Sequence, residues 1–74
     1  MKMERDRLIF FMKAHARGMI AKHRAIVEIY LTKPSGIGEH SDVMEAMETE
    51  LDLIAKYSDR LEALEKYIVN PDTE

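Results

Sequence analysis

The chain has 74 residues, no cysteine and a net charge of −3. A chain of this length can form one small domain (residues 1–74), and the lack of cysteine excludes disulfides and thiolate metal sites as sources of stability. Helical domains below roughly 70–80 residues commonly need idealised packing, a metal or self-association. We expect self-association, as a dimer or tetramer.

The charge is divided unevenly between the two halves. Residues 1–33 hold eight basic and three acidic residues, whereas residues 34–74 hold three basic and eleven acidic residues. An antiparallel hairpin uses opposite charges like these to select its own pairing. The alternative is a nucleic-acid accessory protein that binds through its basic first helix. Its candidate residues are Arg5, Arg7, Lys13, Arg17 and Arg24. We favour the hairpin, because the acidic half would compete for the same charges, and nucleic acid is not an expected partner.

The first predicted helix covers about residues 4–32. Its residues recur at alternating spacings of three and four, which is typical of a seam between packed helices. The seam residues are Ile9, Met12, Ala16, Met19, His23, Ile26 and Tyr30. Leu8, Ile20, Val27 and Leu31 widen the apolar surface on one side, which indicates contact with more than one helix. The longest apolar run, Leu8 to Met12, is far short of the ~20 residues that span a bilayer. No membrane span or signal peptide is expected, and the default location is the cytoplasm.

A turn is predicted over residues 33–39. Pro34 disfavours helical geometry at the residue before it and has no amide hydrogen for the helical ladder. Gly36 and Gly38 allow the backbone angles of a tight reversal. His40 then stands at the start of the second helix, where it could cap that helix or contact a partner.

The second predicted helix covers about residues 40–69, followed by a tail over 70–74. Its seam residues are Val43, Met47, Glu50, Ile54, Tyr57, Leu61, Leu64 and Ile68. Together the two seams predict an all-α antiparallel two-helix hairpin. The apolar surface exceeds what one partner helix can cover, so we predict that two hairpins dimerise into a four-helix bundle. The predicted core and interface are Ile9, Met12, Met19, Ile26, Tyr30, Met47, Ile54, Leu61, Leu64 and Ile68.

One ionisable residue interrupts each seam, and the two lie at equal sequence distance from the midpoint of the turn. We predict that His23 and Glu50 meet in the hairpin and fix the register of the two arms. Three alternatives stay open: the side chains lean out into solvent, they bind zinc or iron as a metal-binding bundle, or they transfer a proton. The metal signal is weak, because neither Glu-x-x-His nor His-Glu-x-x-His occurs in the chain. His15 is expected beside the seam, near Tyr57 or Ser58.

Catalysis and cofactor binding are not expected. Nucleophilic catalysis needs a serine or threonine activated by a nearby base, and no convincing group of this kind is found among Ser35, Ser41, Ser58 and the three separated histidines. The Gly36 to Gly38 segment lacks the third glycine and the preceding strand of a phosphate-binding loop. The sequence therefore favours a structural or protein-interaction module over an enzyme.

The segment LTKPSGIGEHSDVMEA, from Leu31 to Ala46, is similar to a segment of small uncharacterised proteins of marine T4-like bacteriophages and viral metagenomes. In that family a Pro-Ser-Gly-Ile-Gly-Glu-His turn leads into an acidic helix. The resemblance implies a viral or environmental origin, the host cell cytoplasm as location, and another phage or host protein as an alternative partner. It implies no catalytic or binding residue, and it makes Gly36, Gly38, Glu39 and His40 the positions to probe.

Overall fold

The computed structural model describes residues 2–32 and 40–71, with side chains for 4–32 and 42–71. These residues form two long helices, α1 (Lys2–Thr32) and α2 (His40–Ala63), and a π-helical turn (Leu64–Val69) that continues α2. The described residues contain no strand, which confirms the all-α prediction. The predicted turn residues Pro34, Gly36 and Gly38 lie outside the described residues, and so does the side chain of His40.

Contacts between the helices pair the beginning of α1 with the end of the second arm. The Arg5 guanidinium donates a hydrogen bond to the Ile68 carbonyl oxygen over 2.9 Å. Further along, His23 meets Glu50. Residue numbers rise along one arm as they fall along the other, so the two arms are antiparallel, in agreement with the predicted hairpin.

Side chains contact carbonyl groups near the end of α1 and near the end of the second arm, where a helix terminus leaves carbonyl groups without a partner. At the end of α1, the Thr32 hydroxyl lies 3.0 Å from the Glu28 carbonyl oxygen and 3.1 Å from that of Ile29. At the end of the second arm, the Arg5 cation lies at the Ile68 carbonyl, where the helix dipole favours positive charge. A side chain therefore donates to carbonyl groups near each of these two helix ends.

The observed seam on α1 shares every other residue with the predicted seam, and at the positions between them it is shifted by one residue toward the C-terminus. It runs through Ile9, Lys13, Ala16, Ile20, His23, Val27 and Tyr30, all of which are buried or half-buried. Met12, predicted as a core or interface residue, is 61% exposed in the single chain and so is not part of its core. The aliphatic stem of Lys13 takes the position facing α2, because its ammonium group reaches Glu65. Met19 and Ile26 are half-buried beside this seam.

The π-helical turn changes the phase of the second arm. The Asn70 amide donates to the Glu65 carbonyl oxygen over 2.9 Å, five residues back instead of four. The wider turn places Val69 in a half-buried position and leaves Ile68 45% exposed. Ile68 was predicted as a core or interface residue, and in the single chain it is not part of the core. The other predicted residues are half-buried: Ile9, Met19, Ile26, Tyr30, Met47, Ile54, Leu61 and Leu64.

The ion pair between Lys13 and Glu65 has a nitrogen to oxygen distance of 2.9 Å, and both side chains are partly exposed to solvent. Exposed pairs contribute about 0.2–1 kcal/mol. We expect a double-mutant cycle with Lys13→Met and Glu65→Gln to give a coupling energy of about 0.5 kcal/mol, measured by urea unfolding at low salt. Added salt should reduce this coupling, and an undiminished coupling at 1 M salt would contradict the assignment.

Gly18 lies in the middle of α1, and apart from its own stretch of helix no described atom comes within 4 Å of the place where a Cβ atom would stand. Glycine costs about 1 kcal/mol relative to alanine in a helix interior. We therefore expect Gly18→Ala to raise the free energy of unfolding by about 0.5–1 kcal/mol in urea unfolding.

The matched control for Gly18 is Ala21→Gly, at another exposed position of α1. It should lower the free energy of unfolding by a similar amount. A destabilising Gly18→Ala would contradict the expectation and indicate that another chain approaches the helix backbone at this point.

Candidate functional site

Many large apolar side chains remain exposed in the single hairpin. The buried apolar core contains Ala16, Val43 and Tyr57, and the described residues include no large side chain that is fully buried. The exposed large apolar residues are Leu8, Phe10, Phe11, Met12, Ile29, Leu31, Met44, Leu51, Tyr67 and Ile68. Contiguous exposed apolar surface is typical of an interaction site.

Three of these residues, Leu8, Met12 and Ile29, lie along one side of the hairpin, in a row with half-buried apolar residues. Residues that precede the α1 seam positions by one share a side of the helix, because each residue turns the helix by about 100°. We call this side the apolar face. On α1 it contains the large apolar residues Leu8, Met12, Met19, Ile26 and Ile29, with His15 and Lys22 between them. The corresponding positions of α2 are Asp42, Ala46, Thr49, Leu53, Lys56, Arg60 and Ala63.

An apolar groove of about 270 Å³ lies at one end of the apolar face, between the start of α1 and the end of the second arm. Phe11 and Met12 are more than half exposed at the groove. Its lining residues are Leu8, Phe11, Met12, His15, Ala16, Tyr57, Arg60, Leu61 and Leu64. The groove therefore offers space for apolar side chains of another molecule.

Tyr57 forms the polar edge of this groove. The His15 ring meets the Tyr57 ring edge-on, with centroids 5.6 Å apart, which confirms the predicted position of His15. The Arg60 guanidinium lies 5.0 Å from the centre of the Tyr57 ring, and the Lys56 ammonium lies 5.5 Å from it. Cations at this distance are attracted by the ring electrons. The groove thus has an apolar floor and a basic rim.

The opposite side of the hairpin is more strongly charged. Residues that follow the α1 seam positions by one lie there, and they include Phe10, Arg17 and Arg24. The corresponding residues of α2 include the exposed acidic side chains of Glu48 and Glu62, with the exposed apolar side chains of Met44 and Leu51 between and beside them. We call this side the charged face. Its apolar residues are separated by charges, so it is the less suitable of the two sides for a dry interface.

His23 and Glu50 meet inside the seam, as predicted. The His23 Nδ1 atom lies 2.5 Å from the Glu50 Oε1 atom, and their side chains are 9% and 17% exposed. The geometry requires one proton between the two atoms, and a carboxylate that accepts it from Nδ1 orients the imidazole ring. The pair therefore links the two helices at a single level.

The other ring nitrogen of His23, Nε2, is buried without a hydrogen-bond partner among the described residues. A neutral imidazole with its proton on Nδ1 leaves only a lone pair at Nε2, which is less costly to bury than an unpaired N–H group. No group of three or more His, Asp or Glu side chains suited to a metal ion occurs in the described part of the chain. With Nδ1 bonded to Glu50 and Nε2 enclosed, the pair is arranged to join the helices rather than to present ligands.

Two of the five candidate nucleic-acid contacts already have partners within the chain. Arg5 donates to the Ile68 carbonyl oxygen, and Lys13 pairs with Glu65. Arg7, Arg17 and Arg24 are exposed. Arg17 and Arg24 lie on the charged face, on the same side of the hairpin as the acidic side chains of Glu48 and Glu62. This arrangement favours contacts between the two arms over a continuous basic stripe for phosphates.

Sequence reasoning did not identify the groove. Phe11 and Arg60 line it, but neither belongs to the heptad seams. The signal that could have found it is the width of the apolar surface on α1, where Leu8, Ile20 and Val27 accompany the predicted seam. Of these three residues, Leu8 lines the groove, and Ile20 and Val27 belong to the observed seam.

No protein-family model, curated protein or solved structure matches this chain. Over residues 2–32 and 40–71, neither arm contains an apolar stretch long enough to cross a bilayer.

Proposed function

We propose that this chain is a self-associating structural module, in which two copies pair through their apolar faces to form a four-helix bundle. The observation that carries the proposal is the row of large apolar side chains along α1 that α2 leaves uncovered. Leu8, Met12 and Ile29 are each more than half exposed in the single chain. A second hairpin would remove these side chains from water, and burial of each is worth about 1.5–3 kcal/mol.

The surface area of the hairpin supports the same proposal. Its solvent-accessible area is 6028 Å². A compact folded monomer of 8.6 kDa exposes about 4,700 Å² by the usual scaling with mass. The excess is about 1,300 Å² per chain, whereas a stable interface of standard size buries about 800 Å² on each partner. The hairpin thus has enough surplus surface for a stable dimer.

The shape of the chain leads to the same expectation. The hairpin measures 53 × 24 × 14 Å, and its radius of gyration is 16.5 Å. A compact domain of this length has a radius of gyration of about 11 Å. Two helices side by side form a single layer, and a single layer cannot enclose a core. A second layer from another copy would provide one.

Native mass spectrometry of the untagged protein tests the proposal, with analytical ultracentrifugation over a range of concentrations. We expect a dimer of bare chains and a midpoint of urea unfolding that rises with protein concentration, because association stabilises the folded state by mass action. A folded monomer with a midpoint independent of concentration would contradict the proposal. A retained metal mass would instead favour the metal-binding alternative with His23 and Glu50.

A further inference from the structure

Two antiparallel hairpins can stack face to face in two symmetric ways. A two-fold axis parallel to the helices places α1 of each copy over α2 of the other. A two-fold axis perpendicular to the helices, lying in the plane of the interface, places α1 over α1 and α2 over α2. In both arrangements every adjacent pair of helices is antiparallel, so helix direction does not distinguish them.

We propose that the two-fold axis runs parallel to the helices, so that the apolar row of each α1 packs against α2 of the second copy. This inference rests on the proposed function, because it concerns the geometry of that same association. It identifies the partner surface as α2 of a second copy of this chain, and it places the two grooves opposite each other at one end of the bundle.

Charge is the first argument for this axis. α1 contains seven basic and three acidic residues, a net charge of +4, whereas His40–Val69 contains three basic and eight acidic residues, a net charge of −5. The parallel axis gives every basic helix two acidic neighbours and every acidic helix two basic neighbours. The perpendicular axis places basic helices together and acidic helices together, and like net charges oppose association. On the apolar face itself α2 carries Asp42, Lys56 and Arg60, so this preference acts between whole helices rather than between facing side chains.

Side-chain size is the second argument. On the apolar face, α1 carries long apolar side chains such as Met12, Met19 and Ile26. At three of the corresponding positions α2 carries the short residues Ala46, Thr49 and Ala63. Large side chains pack best against small ones across an interface, because the two surfaces then interdigitate. The parallel axis sets Ile26 against Ala46 and Leu8 against Ala63, whereas the perpendicular axis sets the long side chains of α1 against one another.

The residues that would touch across the interface follow from the level of the His23–Glu50 contact. Ile26 lies one turn beyond His23 on α1, and Ala46 lies one turn before Glu50 on α2, so the two residues share a level. A parallel axis keeps this level and brings Ile26 of one copy next to Ala46 of the other. A perpendicular axis near Met19, the middle of the apolar row, would instead bring Ile26 next to Met12.

Disulfide trapping distinguishes the two axes, and the absence of cysteine from the natural chain leaves each introduced thiol without competitors. A disulfide requires Cα atoms within about 7 Å. Three single variants are made: Ile26→Cys, Ala46→Cys and Met12→Cys. Each is first shown to be dimeric by native mass spectrometry. Ile26→Cys is then unfolded and refolded together with each of the other two, oxidised mildly, and analysed by mass.

We expect Ile26→Cys to form a covalent mixed dimer with Ala46→Cys, up to the statistical share of mixed dimers, and not with Met12→Cys. Ile26→Cys alone is the control and should give no covalent dimer, because neither axis brings its two copies together. Linkage to Met12→Cys instead would overturn the parallel axis.

Linkage to neither partner, in dimers intact by native mass spectrometry, would show that the interface lies elsewhere and would overturn this inference while leaving self-association in place. A monomeric natural chain would contradict the proposed function itself.

Discussion

Glu50→Ala is expected to lower the free energy of unfolding by about 1–3 kcal/mol, because it leaves the buried Nδ1–H group of His23 without an acceptor. The contact is short and both side chains are largely buried. A buried donor left without an acceptor typically costs about 1–3 kcal/mol. A chain of 74 residues has a total stability of roughly 4–11 kcal/mol, so a large part of the stability depends on one carboxylate. Urea unfolding at a fixed protein concentration measures the loss.

Two further variants separate loss of the pair from general damage to α2. Glu48→Ala removes an exposed carboxylate from the same helix and should change stability by less than about 0.5 kcal/mol. The double variant His23→Leu with Glu50→Leu should be at least as stable as the natural chain, because apolar side chains of similar volume avoid the cost of burying polar groups. A double variant as unstable as Glu50→Ala would show that the pair does not act as a unit.

Met12→Glu is expected to weaken dimerisation by at least about 100-fold. Each dimer would lose the burial of two methionine side chains, a change of about 3 kcal/mol or more, and a factor of ten in Kd corresponds to about 1.4 kcal/mol. The introduced carboxylates would add the cost of desolvating charge in the interface. Sedimentation equilibrium of both proteins gives the two dissociation constants.

Phe10→Glu is the matched control for Met12→Glu. The two residues are almost equally exposed, at 63% and 61%. They are two positions apart and so point to nearly opposite sides of α1. Phe10 lies on the charged face, and its replacement should leave the dissociation constant within about threefold of the natural value, a difference below 1 kcal/mol. A larger effect of Phe10→Glu than of Met12→Glu would place the interface on the charged face.

The hairpin and the level of its central pair could be predicted from the sequence because both depend on counting. In an antiparallel hairpin, residues at equal distances from the turn lie opposite each other, and His23 and Glu50 meet this condition. The same reasoning placed His15 beside Tyr57. Periodicity and the position of a turn are enough for such pairings.

The exact face of α1 toward α2 could not be predicted in the same way. A heptad pattern ranks positions by hydrophobicity and so prefers Met12 to Lys13. The structure prefers Lys13, since its aliphatic stem covers the seam while its ammonium group reaches Glu65. The wide apolar surface of α1 is compatible with either rotation of the helix. Contacts with the second arm, such as that of Lys13 with Glu65, go with one of these rotations and are not visible in the pattern of α1 alone.

The π-helical turn could not be predicted because nothing in its local sequence demands it. Leucine, glutamate, lysine and isoleucine all favour or tolerate an ordinary α-helix. The exposure of Ile68 depends on this one widened turn, which shifts the phase of the residues after it. The Ile68 carbonyl oxygen accepts a hydrogen bond from Arg5, which is 63 residues away in the sequence. Contacts of that range are not visible in a heptad pattern.

The antiparallel arrangement of the two arms also favours an order in which the contacts between them form during folding. The His23–Glu50 contact closes a loop of 27 residues, whereas the Arg5–Ile68 contact spans 63 residues. Loop-closure entropy grows by about 0.6 kcal/mol for each doubling of loop length. Contacts near the connection are therefore entropically the least costly to form, and each one shortens the loop that the next must close. Contacts between the arms should form first near the connection and then outward from it. The Arg5–Ile68 contact should form last on folding and break first on unfolding.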